Sequence, residues 1–245
     1  MYAPRRQRRG GATWAIYRIR RWTTSEKAGF CRTFTRTESD VSATSSILLI
    51  TSSPRLESYS TKVGRSLAEQ LASRAPNSTL VVRDLTREPL PHIDDSFATG
   101  RTLSADKLTP AQKDVLALSD KLLKELFAAD TIVIAAGMIN FGIPSNLKTY
   151  VDYITRPGVT FSYTDKGPEG LIKGKKVYLV VARGGVYSDG PMQQFNFQGT
   201  YLRAALTFMG VNDIELIAIE GVAFGPEAAD KAVSAALARV SAIAA

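Results

Sequence analysis

Hydroxyl side chains are concentrated in residues 52–61, between an apolar run and the start of a helical pattern. The run at 47–50 (ILLI) is β-prone and apolar on both faces, as in a central strand of a parallel sheet. Free backbone N–H groups and the positive end of the helix dipole meet where such a helix begins, and serine hydroxyls add donors without bulk. The segment predicts a phosphate site, and because neither a Walker nor a G-x-G-x-x-G pattern is present, a mononucleotide is favoured. An ordinary helix capped by Ser58 or Ser60 is the alternative.

Two further strand ends carry residues suited to a flat aromatic ligand. The apolar run 131–136 is followed by Asn140 and Phe141, an amide and an aromatic, and the run 177–182 by Gly184 and Gly185. Adjacent glycines let the backbone approach a planar ring closely. In a doubly wound sheet these strand ends share one edge, where ligands bind at the switch point of the strand order. Together the three segments predict a site for flavin mononucleotide (FMN).

The elements that must position these segments alternate along the chain. Strands are predicted at 47–50, 79–83, 131–136, 177–182 and 214–220, and helices at 60–74, 110–128, 144–155, 197–209 and 226–243. Thr109 is the expected cap of the second helix and Pro110 its first residue. Right-handed crossovers then give an α/β fold: a flavodoxin-like, doubly wound, five-stranded parallel sheet of order 2-1-3-4-5 with helices on both faces. Two long connections, 84–109 and 156–175, are irregular in pattern, although the second has hairpin character.

The net charge of +8 is concentrated in the first 45 of the 245 residues, which carry ten Lys and Arg against three acidic residues. Residues 46–245 are nearly neutral, so neither nucleic acid nor a membrane is an expected partner of the domain. We expect residues 1–45 to be a basic, disordered extension and residues 46–245 to be the flavodoxin-like, FMN-binding domain. The extension could be a targeting segment, because residues 14–22 (WAIYRIRRW) form a basic amphipathic pattern, or untranslated if the true start is Val41.

Composition also narrows the location and the kinds of site. Cys31 is the single cysteine, so no internal disulfide can form, which fits a reducing, cytoplasmic location. His92 is the single histidine, so a histidine cluster is excluded and no metal site is expected. No apolar stretch is long enough to cross a membrane.

Motifs spread over residues 47–245 resemble those of the FMN-dependent NADH-quinone oxidoreductases, the azoreductase group of flavodoxin-like proteins. They include SSPRLESYS from residue 52, M-x-NF-x-IP from residue 138, GVTF-x-YT from residue 158 and RGG-x-x-x-DGP from residue 183. A match of this breadth is far more specific than any single loop. It does not cover residues 1–45.

The resemblance implies which residues hold the cofactor. The phosphate is expected at Ser52, Ser58, Tyr59 and Ser60, one side of the isoalloxazine at Met138, Ile139, Asn140 and Phe141, and another side at Ala182, Arg183, Gly184 and Gly185. Two positions depart from the family pattern, because Ile139 stands where Tyr is usual and Ala182 where Ser or Thr is usual. An aromatic contact and a hydroxyl are therefore missing, which could alter substrate stacking or redox tuning without removing the flavin site.

The same resemblance implies an enzyme that takes electrons from NADH and reduces quinones by two electrons in a ping-pong cycle. Aromatic azo compounds would be cleaved reductively. FMN, one per subunit, carries the redox chemistry, so no catalytic acid or base is expected. A homodimer is implied, in which the second subunit walls the substrate site. Candidates for that wall are three aromatic residues, Phe161, Tyr163 and Phe208, and one cationic residue, Arg101. Phe208 could instead belong to the core.

Hypotheses of two other classes stay open. A flavodoxin-type electron carrier would keep FMN and dock to redox proteins, but such carriers usually present an acidic face. A functional basic extension would make the chain a binder of nucleic acid or membrane surfaces, with binding that weakens steeply as salt rises. Among enzyme substrates, quinones, azo compounds and nitroaromatics all fit, because a stacking site selects shape and reduction potential more than functional group.

Overall fold

The computed structural model describes residues 45–74 and 77–245, so the predictions for residues 1–44 lie outside the described part. The described residues form seven strands: β1 Ser46–Thr51, β2 Thr79–Asp84, β3 Thr131–Gly137, β4 Phe161–Thr164, β5 Gly167–Gly170, β6 Lys176–Ala182 and β7 Asp213–Ile219. They also form six α-helices: α1 Tyr59–Arg74, α2 Asp95–Gly100, α3 Pro110–Ala128, α4 Ser145–Ile154, α5 Phe197–Phe208 and α6 Pro226–Ile243.

Five of the strands form one sheet in the order β2-β1-β3-β6-β7, and all neighbouring pairs are parallel. The predicted flavodoxin-like α/β class, with a five-stranded parallel sheet and helices, is confirmed. The predicted numbering 2-1-3-4-5 is not matched, because two further strands intervene in the chain before β6. These strands, β4 and β5, pair with each other as a separate antiparallel hairpin.

Helices cover both faces of the sheet, which explains why its central strands are apolar throughout. Leu48 and Ile50 of β1 lie in one core, and Ile47 and Leu49 lie in the other. The first core includes buried side chains from α3, α4 and α5, and the second includes side chains from α1 and α6. A strand that is buried on both faces needs no alternation of apolar and polar residues.

Regular structure also occurs where the sequence pattern was irregular. The connection at 84–109 contains α2, whose first N–H groups are capped by Asp94: its carboxylate accepts from the N–H of Phe97 at 2.9 Å. A six-residue helix is too short for a periodic signal and depends on packing, here the complete burial of Phe97. The cap predicted for α3 is confirmed, since Thr109 and Gln112 exchange side-chain and backbone hydrogen bonds as a capping box.

Candidate cofactor site

The carboxyl ends of β1, β3 and β6 lie side by side, because β3 pairs with β1 on one side and β6 on the other. The segments that follow these strands are in contact. The side-chain amide of Asn146 in α4 donates to the Ser52 carbonyl at 3.1 Å, which joins the first segment to the helix that follows the second. The rings of Phe141 and Tyr187 join the second segment to the third, with centroids 6.3 Å apart. The structure therefore brings the three predicted segments to one edge.

Three serines of the first segment, Ser52, Ser58 and Ser60, are buried and hydrogen-bonded. Ser52 donates from its hydroxyl to the carbonyl of Ala135 at 3.2 Å. The hydroxyls of Ser58 and Ser60 lie 3.0 Å apart, and Ser58 also accepts from the N–H of Thr61 at 3.3 Å. Ser58 is thus the cap of α1, as the alternative interpretation held. Capping does not exclude an anion, since the first turn of a helix offers further N–H groups.

Basic side chains outnumber acidic ones near the start of α1, where Arg55, Lys62 and Arg65 face the single acid Glu57. The guanidinium of Arg55 lies 5.7 Å from the ring centroid of Tyr59, and α1 has no acidic residue in its first turn. Charge and helix dipole both favour an anion at this end of the helix. A cavity of about 440 Å³ opens here, lined by Arg55, Leu56, Glu57, Ser58, Tyr59, Thr61, Lys62 and Arg65.

The second segment is a tight turn that presents its side chains outwards. The backbones of Ile139 and Gly142 exchange two hydrogen bonds of 3.1 and 2.9 Å. Between them, Asn140 and Phe141 take left-handed conformations with φ of 45° and 70°. Ile139, Asn140 and Phe141 are exposed while Met138 is half-buried. The turn therefore offers an amide and two apolar groups to a ligand at the sheet edge.

In the third segment, Arg183 is a structural residue. Its side chain is fully buried and forms an ion pair with Glu220 at 2.9 Å. Its Nε donates to the side chain of Gln198 at 3.2 Å. Only the backbone of Arg183 is therefore available to a ligand, and the predicted contact, if formed, does not use the guanidinium.

At both Gly184 and Gly185, the backbone carbonyl is hydrogen-bonded within the described residues but the backbone N–H is not. Their carbonyls accept hydrogen bonds from the N–H groups of Ala223 and Gly221, both at 3.0 Å. Their own N–H groups donate no hydrogen bond within the part of the chain that the structure describes. Two adjacent donors without partners suit the carbonyl-bearing ring of FMN, and the basic start of α1, at the same edge of the sheet, suits its phosphate. The residues present therefore fit this cofactor.

The four predicted substrate residues lie together, but not among these segments. Phe161 is buried, with its ring 4.6 Å from that of Phe208 and 5.5 Å from that of Tyr163. Arg101 and Phe208 line a cavity of about 450 Å³ beside α4 and α5. Phe208 is 37% exposed, so it is not a core residue. It ends α5, whereas Arg183 contacts the region where α5 begins, roughly 16 Å away at 1.5 Å per residue.

Three residues that shape the site were not identified from the sequence. Gln198 and Asn146 lie within helical patterns, where nothing marks their side chains as anchors. Glu220 gives one signal, an acidic residue directly after a buried apolar strand. The pattern at 214–220 places it at the end of the last strand, but β7 ends at Ile219, and the Glu220 carboxylate binds the third segment.

The described residues offer neither a metal-binding cluster nor a helix that could span a membrane. No group of three or more His, Cys, Asp or Glu side chains there could hold a metal ion. Likewise, none of the helices formed by residues 45–74 and 77–245 is long and apolar enough to cross a membrane.

Comparison with known proteins gives a consistent result. A family model described as a flavodoxin-like fold matches residues 45–244. FMN-dependent NADH:quinone oxidoreductase 1 of Rhizobium etli is 54% identical over 200 residues, covering 82% of this chain and 98% of that protein. An azoreductase structure from Bacillus anthracis str. Sterne has a TM-score of 0.76 and 32% identity, covering 82% of this chain and 98% of that one.

A second solved structure bears on the cofactor. The FMN-dependent NADH-azoreductase from Bacillus anthracis str. Ames Ancestor, in complex with FMN, has a TM-score of 0.73 and 27% identity. The match covers 82% of this chain and all of that one, 100%. The resemblance read from the motifs is confirmed, and the chain belongs to the flavodoxin-like family of FMN-dependent NADH:quinone oxidoreductases and azoreductases.

Proposed function

We propose that this chain is an FMN-dependent NADH:quinone oxidoreductase, which reduces quinones by two electrons in a ping-pong cycle and also cleaves aromatic azo compounds. The observation that carries the proposal is the unpartnered pair of N–H groups at Gly184 and Gly185, in the segment whose Tyr187 contacts Phe141 of the exposed turn at 139–142. When bound, FMN would supply the redox chemistry by accepting two electrons from NADH and passing them to the acceptor. Relatives named for this activity support the proposal.

The chain's own residues bind and orient. The segment with Ser52, Ser58, Tyr59 and Ser60 would hold the phosphate through first-turn N–H groups and hydroxyls. Backbone N–H groups at 184 and 185 would hold polar atoms of the ring, next to Met138, Ile139, Asn140, Phe141, Ala182 and the backbone of Arg183. The ring of Phe141 packs against those of Phe195 and Tyr187, with centroids 5.2 and 6.3 Å away, so these contacts hold it at this edge.

We assign the substrate wall to a second copy of the chain. The cluster of Arg101, Phe161, Tyr163 and Phe208 lies toward the end of α5 opposite to the end that Arg183 contacts, which argues against one chain presenting both to the same ligand. A homodimer in which each subunit completes the other's site resolves this. Tyr163, which is 73% exposed, would then face the partner. A cytoplasmic location accords with the lack of disulfide-forming cysteine pairs.

The test is the visible spectrum of the purified protein. We expect a flavin absorption that bleaches when NADH is added without oxygen and returns when a quinone is added. Bleaching by NADH with no recovery on addition of a quinone would contradict the quinone reductase activity. Absence of bleaching by either NADH or NADPH would instead support the flavodoxin-type carrier.

We also propose that residues 1–45 are an extension separate from the flavin domain. The near neutrality of residues 46–245 and a family match that begins at residue 45 support this division. Deletion of residues 1–40 should leave flavin content and reductase rate unchanged. Any binding to anionic polymers or vesicles should disappear with the deletion and, before it, weaken as salt rises.

A further inference from the structure

The third segment is held in place by the chain just after β7. The carbonyls of Arg183, Gly184 and Gly185 accept hydrogen bonds of 3.2, 3.0 and 3.0 Å from the N–H groups of residues 222, 223 and 221. This contact fixes the carbonyl side of residues 183–185. It does not reach residues 187 and 188, which follow after an exposed Val186.

Glu220 supplies the second attachment. Its Oε1 accepts from the N–H groups of Tyr187 at 2.8 Å and of Ser188 at 3.0 Å. Its Oε2 accepts from the hydroxyl of Ser188. The carboxylate thus closes the turn that begins at Arg183. Hydrogen bonds to a charged acceptor are stronger than those between neutral groups.

A buried chain of hydrogen bonds links Glu220 to the second cofactor segment. Oε1 of Glu220 pairs with Nη1 of Arg183, and Nε of Arg183 donates to Gln198 at 3.2 Å. Gln198 in turn donates to the carbonyl of Ala136 at 3.2 Å, one residue before the end of β3. A side chain at Gly199 would place its Cβ 3.1 Å from Nη2 of Arg183, so this glycine keeps the space that the guanidinium occupies.

The charges in this chain of contacts depend on one another. The Arg183 side chain is fully buried and the Glu220 side chain is 13% exposed. Glu220 is the only carboxylate that pairs with Arg183 among the described residues. Removing the negative charge would leave a buried guanidinium without a counter-charge, which is strongly unfavourable.

We propose that Glu220 is a positioning residue for the cofactor: it holds residues 183–188 so that the N–H groups of Gly184 and Gly185 stay unpartnered and open to the ring. It does so without touching the cofactor, through Arg183, Tyr187 and Ser188. The part of this proposal that concerns FMN rests on the proposed function. The attachment of the segment itself is independent of FMN.

The test compares Glu220→Gln with Glu215→Gln in the full chain. Glu215 is a matched control, because it lies on the same β7 and pairs with Arg239 at 3.0 Å and Lys176 at 3.5 Å, away from the cofactor segments. In the flavin-free protein, we expect Glu220→Gln to speed amide hydrogen exchange at Tyr187 and Ser188 at least about tenfold, since the acceptor loses its charge. Glu215→Gln should leave these rates within about twofold of the unsubstituted protein.

The cofactor arm measures FMN binding by fluorescence quenching and the visible circular dichroism of the bound flavin. Glu220→Gln should weaken FMN binding about tenfold and change the dichroism at saturating FMN, as expected for a displaced donor pair. Glu220→Asp keeps the negative charge on a side chain one methylene shorter, so its FMN affinity should be partly recovered relative to Glu220→Gln. Ser188→Ala, a substitution on an exposed loop, removes only the hydroxyl donor and should show a smaller change in the same direction.

Three results would overturn the proposal. They are unchanged exchange at 187 and 188 in Glu220→Gln, faster exchange spread evenly over the whole sheet, and FMN binding that is either unchanged or weakened with unchanged dichroism and no recovery in Glu220→Asp. If Glu220→Gln fails to fold, wild-type behaviour of both Ser188→Ala and Glu220→Asp would equally overturn it. Failure of the unsubstituted protein to bind FMN would instead contradict the proposed function, while the exchange result would still decide whether Glu220 holds the segment.

Discussion

Asn140 and Phe141 show at the level of single residues how the cofactor edge is shaped before any ligand arrives. Both have positive φ, at 45° and 70°, in a turn closed by two backbone hydrogen bonds. Asn tolerates this conformation better than most residues, whereas a phenylalanine adopts it at a cost. The cost is offset by the packing of the Phe141 ring on Phe195, 5.2 Å away between centroids. Strain of this kind is typical of functional sites.

Asn140→Ala should therefore destabilise the protein more than Asn140→Gly does. Alanine lacks the local hydrogen bonding that lets Asn adopt the left-handed region, so the free energy of unfolding should fall by about 1 kcal/mol. Glycine adopts the same φ freely and should stay within about 0.5 kcal/mol of the unsubstituted protein. Urea unfolding of the flavin-free protein measures the difference. Equal stabilities of the two variants would show that the turn does not persist without ligand.

Glu220 leads to a prediction about pH. Burial raises the pKa of its carboxyl, but hydrogen bonds from Ser188, Tyr187 and Arg183 outweigh it and lower the pKa below the ordinary value of 4.5. A lowered pKa means that the folded state favours the ionised form, so this contribution to stability is full above about pH 4.5 and is lost as the pH falls through the folded pKa. The contribution of Arg183, the charged group in contact with it, is lost together with the ion pair.

We therefore expect the stability gap between the unsubstituted protein and Glu220→Gln to be constant near neutral pH and to narrow below about pH 4.5. Urea unfolding at several pH values from neutral to acidic measures this gap. Glu215→Gln, measured in parallel, corrects for the general effect of acid on surface carboxylates. A gap that is the same at all pH values would mean that the charge of Glu220 does not contribute.

At the scale of elements, the β4–β5 hairpin is attached to the domain backbone to backbone. A Cβ built on Gly170 would lie 2.1 Å from the backbone nitrogen of Gly210, so no side chain fits there. The N–H of Ile172 donates to the carbonyl of Met209 at 2.9 Å, and that of Leu171 to the carbonyl of Thr160 at 2.9 Å. The hairpin therefore lies close against the turn after α5 and carries Phe161 and Tyr163 in fixed positions.

Gly170→Ala should displace the hairpin while leaving the cofactor segments in place. Forcing a methyl group into this contact should lower the free energy of unfolding by about 1–3 kcal/mol. The KM for a quinone should rise, because the displaced strands carry two of the proposed substrate residues, while FMN affinity should stay unchanged. Glu169→Ala, on the exposed face of the same strand, is the control for both measurements. A loss of FMN affinity by the same factor as the rise in KM would mean that the hairpin supports the cofactor site instead.

At the scale of the whole molecule, the elements that a sequence can reveal are those with a long periodic or apolar signal. The central strands β1, β3 and β6 and the long helices belong to this class, since burial on both faces or on one stripe dictates their residues. The short helix α2 lacks such a signal, because its stability comes from the tertiary burial of Phe97.

The candidate site divides in the same way. Strand ends in a doubly wound sheet indicate where a ligand lies, so the three segments could be found from topology alone. What could not be found is the direction of a side chain after a strand ends. Arg183 turns into the interior toward Glu220 and Gln198 instead of toward the ligand, and no spacing rule distinguishes the two directions.

The separation of the two proposed half-sites gives the last prediction. Phe208 lies roughly 16 Å along α5 from the end that contacts Arg183, so we expect a ligand on the cofactor edge to meet the substrate wall of another subunit. The chain should therefore sediment as a dimer. Gly184→Leu should abolish FMN binding in its own subunit. Phe208→Ala should raise the KM for a quinone at least about tenfold at the partner's site, whose substrate wall the substituted subunit forms.

Co-expression of these two variants with different tags then tests which chain supplies each half. In a dimer that contains one of each, the cofactor segments of the Phe208→Ala chain meet the intact wall of the Gly184→Leu chain, so one site of two is complete. Its reductase rate at low quinone concentration should be about half that of the unsubstituted dimer, well above either variant alone. A mixed dimer no better than the Phe208→Ala homodimer would show that both halves of a site come from the same chain, because then neither subunit of the mixed dimer has a complete site.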